Sequence, residues 1–156
     1  MNKKELYLEP KIIKLGLEDL NSCIKLDLKT FNGIWNAKQW KNELSDQERI
    51  CLGAINGKQL IALGCAWLVL DELNITLIGV DPFYQRMGIG TLIVSSLLKA
   101  GQDAGANQIF IEARKTNISA KLFYKNLDFT EVGYRPNLYK DGEEGRLFHR
   151  NCKIDT

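Results

Sequence analysis

The segment with the clearest chemical potential is a glycine-containing loop, residues 85–91, which lies between an apolar strand-like run and an apolar helix-like run. Pro82 precedes it and ends the strand, because proline has no amide hydrogen and disfavours helix at the residue before it. The first amides of a helix are unpaired and lie at the positive end of its dipole, so they bind phosphate well. Gly88 and Gly90 let an anion approach the main chain, and Arg86 adds a positive charge. These residues predict a phosphate-binding turn.

The same two glycines also suit a plain turn from strand to helix, which is the usual meaning of an isolated Gly-x-Gly. Two familiar nucleotide-binding loops are excluded. The segment has no Gly-x-x-x-x-Gly-Lys-Ser/Thr motif, and it lacks the third glycine of the dinucleotide fingerprint. The surrounding elements therefore have to decide what the loop binds.

Two helices are predicted before the first strand. The first ends near residues 32–33, and the second starts at a capping box formed by Asn36 and Gln39. Apolar residues at three- and four-residue steps predict one buried stripe on the first helix. That stripe consists of Leu17, Leu20, Ile24, Leu28 and Phe31.

Strands dominate the rest of the pattern. Asn56-Gly57 is typical of a tight hairpin, and we assign positive φ to both of these residues. Gly101 is predicted to close a helix that begins at Thr91. The remaining elements are strands at 50–55, 59–70, 73–80, 108–113, 130–134 and 146–152 and a helix at 119–126. This order predicts a mixed α+β fold.

The composition predicts a single domain over residues 1–156, with segment 1–10 as a candidate for disorder. Apolar residues make up 45% of the chain, enough for a core without metal or disulfide staples. The net charge of +2 comes from 21 basic and 19 acidic residues spread along the chain, so we expect no direct nucleic-acid partner. There is no secretory signal and no apolar run of about 18 residues, so we expect no membrane partner and a cytoplasmic location.

The four cysteines, Cys23, Cys51, Cys65 and Cys152, lie far apart and include no Cys-x-x-Cys pair. Neither zinc spacing nor a disulfide framework is visible, so we expect no metal and a reducing compartment. His149 is the only histidine, and no local signature around any cysteine supports a nucleophilic cysteine–histidine pair.

Gln85-x-x-Gly88-x-Gly90, preceded by Val80-x-Pro82, resembles motif A of the GCN5-related N-acetyltransferase (GNAT) superfamily. The likeness extends from about Ile12 to Cys152. Within the superfamily, Glu112-Ala113-Arg114, Asn117 and the segment 123–129 resemble the bacterial ribosomal-protein-alanine N-acetyltransferases, the RimI type. Two positions depart from the pattern: Leu77 stands where many relatives have asparagine, and Asp128 where a glycine is usual.

The resemblance implies the GNAT fold, a mixed central β-sheet flanked by helices and splayed in the middle to admit the cofactor. It also implies acetyl-CoA as cosubstrate, bound by its diphosphate at the glycine loop and along the pantetheine arm by the third strand. The expected cofactor contacts are Ile78, Gly79, Val80, Arg86, Met87, Gly88, Ile89, Gly90, Thr91 and Asn117. Taken alone, Asn117 suits an ordinary helix N-cap.

Two residues are candidates for proton transfer. Glu112 lies in an apolar strand where burial is expected to raise its pKa toward that of a general base, although a rim carboxylate paired with Arg114 or a lysine would fit the strand equally well. The resemblance favours the base. It also implies that Tyr124 is the general acid, lying beside a core stripe of Ala120, Phe123 and Leu127, although a lone helical tyrosine is more often a packing residue.

The acceptor is expected to be an amine. Aromatic residues in the segments where the family binds its peptide are Phe31, Trp35, Tyr134 and Tyr139, and an acidic loop contains Asp141, Glu143 and Glu144. The resemblance implies a protein N-terminus, that of the alanine of small-subunit ribosomal protein eighteen, and a monomer or weak dimer. A lysine, polyamine or small-molecule amine stays open as the acceptor, as does a non-catalytic CoA-binding module.

Overall fold

The computed structural model describes residues 8–152, which form one mixed β-sheet with helices on both faces. The strands are β1 (Lys11–Lys14), β2 (Arg49–Asn56), β3 (Gln59–Val69), β4 (Glu72–Val80), β5 (Gln108–Arg114), β6 (Thr130–Arg135) and β7 (Gly145–Asn151). The α-helices in this range are α1 (Leu20–Phe31), α2 (Ala37–Ser45), α3 (Ile89–Asp103) and α4 (Ile118–Asn126). Most of segment 1–10, the candidate for disorder, lies outside the described residues.

The sheet has the order β1-β2-β3-β4-β5-β7-β6. Strands β1 to β4 pair antiparallel, β4 and β5 pair parallel, and β7 pairs antiparallel with both β5 and β6. A parallel pair needs a crossover connection, and α3 provides it between β4 and β5. The predicted α+β class and the mixed GNAT sheet are therefore confirmed.

The sheet splits between β4 and β5. Their ladder covers only Glu72–Ile75 against Gln108–Ile111. At the next residue, Thr76, a bulge shifts the pairing between β3 and β4, and the Thr76 hydroxyl donates to the Cys65 carbonyl at 3.2 Å. Beyond this point β4 pairs only with β3, and β5 only with β7, so each strand has an open backbone edge facing the other. The expected splay is thus present.

The two faces of the sheet have separate cores. Helix α3 covers β2 to β4 on one face, where Tyr124 of α4 packs against Phe148. Helices α1 and α2 cover β2 to β4 on the other face, above Leu63 and Leu77. Leu77, a departure from the family pattern, is therefore a core residue of this second face.

Two predicted turns differ in detail. The β2–β3 hairpin is confirmed, but its two turn residues are Gly57 and Lys58. Of the predicted turn residues, Asn56 and Gly57, only Gly57 has a positive φ, +63°. The prediction that Gly101 ends α3 is wrong, since the helix continues to Asp103. Gly101 is buried, and a Cβ there would lie 2.7 Å from Leu73 Cδ2, so its small size serves close packing of α3 on the sheet.

The predicted buried stripe of the first helix is right for Leu20 and Ile24, which pack against the core beneath α1 and α2, but it is wrong for Leu17 and Leu28. Leu17 and Leu28 are 53% and 57% exposed, whereas Cys23, Leu26 and Asp27 are buried. The helix is rotated relative to the predicted stripe because a polar residue, which apolar periodicity does not count, belongs to its inner face. Strand β1, for which no strand was predicted, is only four residues long and begins and ends with lysine.

Asp27 fixes the corner between α1 and α2. It is 2% exposed, and its carboxylate accepts hydrogen bonds from Ile34 N (2.8 Å), Trp35 N (3.2 Å) and Trp40 Nε1 (2.8 Å). A buried carboxylate with three donors is well satisfied, whereas its removal leaves three donors without an acceptor. This contact determines where the segment after α1 lies.

None of the helices within residues 8–152 combines the length and apolar character needed to cross a bilayer.

We predict that Asp27→Ala lowers the free energy of unfolding by about 3 kcal/mol, because buried donors lose their acceptor. Urea unfolding followed by tryptophan fluorescence measures this loss. Asp103→Ala, at an exposed site on the last turn of α3, is the control and should change stability little. A loss for Asp27→Ala no greater than that of the control would contradict the structural role.

Candidate active site

The glycine loop adopts a conformation that opens the N-terminus of α3. Asp81 Oδ1 accepts from Phe83 N at 3.0 Å and holds the turn after β4. Arg86 and Gly88 have φ values of +64° and +81°. Helix α3 begins at Ile89, and no side chain of the described residues caps its N-terminus. The positive end of the helix is therefore available to an anion.

Glycine is favoured at positions 88 and 90 of the loop for different structural reasons. Gly88 has open space around its Cβ position, so its left-handed φ is what favours glycine there. Gly90 lies on the first turn of α3, where a Cβ would lie 3.3 Å from Phe123 Cζ. The loop is thereby packed closely against α4.

The third strand of the prediction is β4 of the structure, and its predicted cofactor contacts lie on the open edge of this strand. Ile78, Gly79 and Val80 pair with β3 on one side and face the splay on the other. The Phe31 ring covers Gly79, because a Cβ there would lie 2.7 Å from Phe31 Cε2. Gln85 Nε2 donates to the Val80 carbonyl at 3.1 Å, so one main-chain acceptor of this edge is engaged within the chain.

Glu112 lines a cavity beside the splay rather than the core. Strand β5 alternates strictly, with Ile109, Ile111 and Ala113 buried and Glu112 on the opposite, partly open face. The Glu112 side chain is 30% exposed, and its Oε1 lies 3.4 Å from Arg135 Nε. The expected burial is therefore wrong, because the strand is covered on one face only.

The cavity has a volume of about 330 Å³. Besides Glu112, its wall includes Asn74 and Thr76 of β4, Arg135 of β6 and Tyr139 from the connection between β6 and β7. Arg135, Asn74 and Thr76 were not identified from the sequence. Alternation along β4 and β5 could have placed Asn74 on the face of Glu112, but nothing local to Arg135 signals its approach.

Tyr124 is more buried than predicted. It is 9% exposed, and its ring centroid lies 5.6 Å from that of Phe148 and 6.1 Å from that of Phe129. It is the buried residue of α4, whereas the expected stripe of Ala120, Phe123 and Leu127 is only partly buried. Burial, with a smaller contribution from Tyr139, raises the pKa of Tyr124 to about 12, so its hydroxyl is protonated at neutral pH.

Two other predicted features have local structural roles. Asn117 is the N-cap of α4, where its Oδ1 accepts from Ala120 N at 3.1 Å. Asp128, at a position where the family resemblance leads one to expect glycine, has a φ of +66°, so it adopts the left-handed conformation without being glycine. This costs some local stability.

The structure separates the four predicted acceptor aromatics. Tyr139 lies in the Glu112 cavity, and Phe31 lies against the open edge of β4. Tyr134 is 64% exposed on β6. Trp35 packs edge-on against Trp40 at 4.8 Å between ring centroids, within the core beneath α1 and α2. Trp35 is thus part of the corner that Asp27 fixes.

Two carboxylates of the acidic loop are paired with an arginine of the same chain. Arg114 Nη1 lies 2.8 Å from Asp141 Oδ2 and 3.0 Å from Glu143 Oε2. The hydrogen bond that the Glu143 amide donates to Asp141 lowers the pKa of Asp141. The bonds that Thr116 donates to Glu143 lower the pKa of Glu143, and Arg114 lowers both pKa values further. The Arg114 guanidinium also lies 4.1 Å from the Tyr139 ring and supports that side of the cavity.

Known proteins resemble this chain in sequence over most of its length. The chain matches the profile of the acetyltransferase (GNAT) family over residues 18–129. It is 29% identical over 138 residues to the [ribosomal protein bS18]-alanine N-acetyltransferase of Escherichia coli, covering 87% of this chain and 93% of that one. The Salmonella typhimurium enzyme of the same name is 32% identical over 125 residues, 80% of this chain and 84% of that enzyme.

Solved structures show the same fold. The crystal structure of the E. coli ribosomal-protein-S18-alanine N-acetyltransferase superposes with a TM-score of 0.85 at 24% identity, over 95% of this chain and 97% of that one. Arabidopsis thaliana NAA60 in complex with acetyl-CoA gives a TM-score of 0.84 at 16% identity, over 92% and 98% of the two chains. The chain therefore belongs to the GNAT family, and it is an acetyl-CoA-dependent N-acetyltransferase.

Proposed function

We propose that this chain acetylates protein N-termini in the cytoplasm and that its substrate is the N-terminal alanine of ribosomal protein bS18. The observation that carries the proposal is the cavity beside the splayed strands, which places Glu112 next to the open edge of β4. The alignments with two relatives named for this alanine acetylation cover 93% and 84% of those relatives' lengths, which supports the same substrate.

The cosubstrate fits the uncapped helix and the open strand edge. Amides of residues 86–91 and the Arg86 side chain bind the diphosphate of acetyl-CoA, because the helix dipole and the guanidinium both favour negative charge. Ile78, Gly79 and Val80 lie where β4 no longer pairs with β5, so main-chain groups that point away from β3 are open to the pantetheine arm. One of these donors then stabilises the negative charge that develops on the thioester carbonyl. Asn117 lies at the start of α4 and binds the same arm.

Glu112 removes the proton from the attacking amine, directly or through water. An N-terminal amine has a pKa of about 8, so most of it is protonated at neutral pH and cannot attack. In this structure the Glu112 carboxylate is paired with Arg135. An incoming ammonium group has the same charge as the guanidinium and can replace it, which brings the amine to its base.

Tyr124 gives its proton to the thiolate that leaves. Its raised pKa keeps the hydroxyl protonated over the working pH range, as a general acid requires. Its ring is fixed by Phe129 and Phe148, so the hydroxyl has a defined position. In this mechanism the amine forms the new bond to the acetyl carbon and the carbon–sulfur bond breaks. Glu112 takes the first proton from nitrogen, the second passes to solvent after attack, and Tyr124 regains a proton from solvent.

The acceptor peptide binds along the cavity and the neighbouring helix corner. Tyr139 and Tyr134 contact it from the β6–β7 side, and Phe31 contacts it from the α1 side. Trp35 acts through the corner that it helps to build. Because Arg114 pairs with both Asp141 and Glu143 and offsets part of their charge, attraction of a basic peptide by the acidic loop is a minor contribution.

A small-molecule amine is the second candidate acceptor. The observation in its favour is that an aminoglycoside 6'-N-acetyltransferase complexed with coenzyme A has the same fold, with a TM-score of 0.81 at 16% identity. A shared fold does not imply that the two proteins bind the same acceptor. An assay on several amines separates the two candidates.

We predict that the chain transfers one acetyl group from acetyl-CoA to a peptide with the bS18 N-terminus. Mass spectrometry with fragmentation locates the group on the terminal amine rather than on a lysine. Parallel reactions contain the same peptide with a blocked N-terminus, a polyamine and an aminoglycoside. Faster acetylation of any of these three would overturn the proposed substrate.

We predict that Glu112→Gln lowers kcat by roughly 10²–10⁴-fold while acetyl-CoA still binds, because the amide cannot accept the proton. The loss should be greatest below about pH 8, where the amine is protonated, and should shrink above it. A pH series of kcat measures this. Glu131→Gln, which alters a surface pair with Arg146, is the matched control. An unchanged rate for Glu112→Gln would remove the residue from the mechanism.

We predict that Tyr124→Phe lowers kcat by roughly 10²-fold with little change in thermal stability, because the ring packing stays and only the proton donor is lost. Steady-state kinetics and thermal unfolding on the same preparations give both quantities. Tyr84→Phe, at a second buried tyrosine of the same core that the mechanism does not use, is the control for loss of a phenol hydroxyl. If both variants kept full activity, Tyr124 would be a packing residue only.

A further inference from the structure

Three potential metal ligands meet beneath α1 and α2, in a part of the molecule that acetyl transfer does not use. Cys51 of β2 and Cys65 of β3 are directly opposite each other in the antiparallel ladder. Glu43 of α2 lies above them, and the two sulfur atoms and a Glu43 carboxylate oxygen all lie within 4.8 Å of one another. Cys51 is eight positions after Glu43 and fourteen before Cys65, so these three side chains meet in space at separations that form no metal-binding motif in the sequence.

The carboxylate in this cluster has an unused oxygen. Glu43 is 9% exposed, and its Oε1 is buried without a hydrogen-bond partner among the described residues. The other oxygen, Oε2, lies 3.7 Å from Arg49 Nε, a long ion pair. A buried carboxylate oxygen without a donor is destabilising, so a cation beside it would remove a penalty that the chain otherwise carries.

The sulfur atoms are also sheltered but reachable. Cys51 and Cys65 are 5% and 0% exposed. A surface cavity of about 400 Å³ is lined by both Glu43 and Cys51, together with Asp46 and Arg49. An ion entering from solvent therefore has a route to the cluster, and the acidic Asp46 lies along that route.

We propose that Glu43, Cys51 and Cys65 bind a thiophilic divalent cation, for which zinc is the best fit. Two thiolates and one carboxylate are a donor set that Zn²⁺ accepts at a tetrahedral site, with a fourth position left for water. Binding releases the two thiol protons to solvent and changes no oxidation state. This departs from the expectation of no metal, and it is independent of the proposed acetylation.

The ion would join α2 to the sheet. Helix α2 otherwise contacts β2 through Trp40 and Leu44, which belong to the same core as the two cysteines. A metal bound by one helix residue and two strand residues stabilises the folded state by mass action, because the three ligands are not assembled in the unfolded chain. It therefore also holds the corner next to Trp35.

The test uses the full-length chain, reduced and freed of metal by a chelator that is then removed. Titration with Co²⁺ is expected to give the visible bands of a tetrahedral site and a thiolate-to-cobalt charge-transfer band, saturating at one ion per chain. Zn²⁺ is expected to bleach these bands and to raise the unfolding temperature. None of these measurements depends on enzyme activity.

Variants identify the ligands. Cys65→Ala is expected to abolish the charge-transfer band, and Glu43→Gln to weaken Zn²⁺ binding by at least about tenfold. Cys152→Ala is the matched control, because Cys152 is equally buried but donates to the Leu98 carbonyl in the other core. Tetrahedral bands that persist in Cys65→Ala, or that disappear in Cys152→Ala, would overturn the assignment.

A second measurement on the wild-type chain covers the case in which a variant fails to fold. Alkylation rates of individual cysteines, read by mass spectrometry, are expected to fall with Zn²⁺ at Cys51 and Cys65 and to stay the same at Cys152. Equal rates with and without Zn²⁺ would sink the proposal. So would a Cys51–Cys65 disulfide in the isolated protein that forms in preference to metal binding.

Discussion

The parting of β4 from β5 is the constraint on which the rest of this structure depends. A bulge at Thr76 ends the parallel ladder after four residue pairs, and both strands continue with one edge unpaired. Unpaired main-chain groups are unfavourable when buried, so the gap is stable only if solvent or a ligand satisfies them. Strand β4 ends shortly before the uncapped start of α3, so the open edge leads directly to the turn that is proposed to bind the diphosphate.

The division of the sheet into two faces explains where the chemistry lies. One face is closed by α3 and α4, and it fixes Tyr124 in an apolar environment that keeps its proton. The other face is covered by α1 and α2 only over β2 to β4, which leaves the Glu112 side of β5 open as a cavity. The proposed acid, Tyr124, and the proposed base, Glu112, therefore lie on opposite faces of the sheet, one dry and one partly open.

Charge pairing arranges the open side. Arg135 holds Glu112, and Arg114 holds Asp141 and Glu143 while its guanidinium lies over Tyr139. The two arginines thus organise the wall of the cavity, and their positive charges offset part of the charge of its carboxylates. On the far side, the buried Asp27 carboxylate fixes the corner that follows Phe31 and carries Trp35, two residues that are proposed to serve the acceptor.

The sequence by itself determined the features that depend on neighbours along the chain: the glycine loop before α3, the capping box of α2, the hairpin near Gly57 and the α+β order. Each follows from backbone preferences over a few residues. Tertiary structure decided the inner face of α1, the reason for Gly101, the open position of Glu112 and the meeting of Cys51 with Cys65 and Glu43. These depend on which surfaces the sheet covers and on strand register, and contacts between distant segments leave no periodic signal in a single sequence.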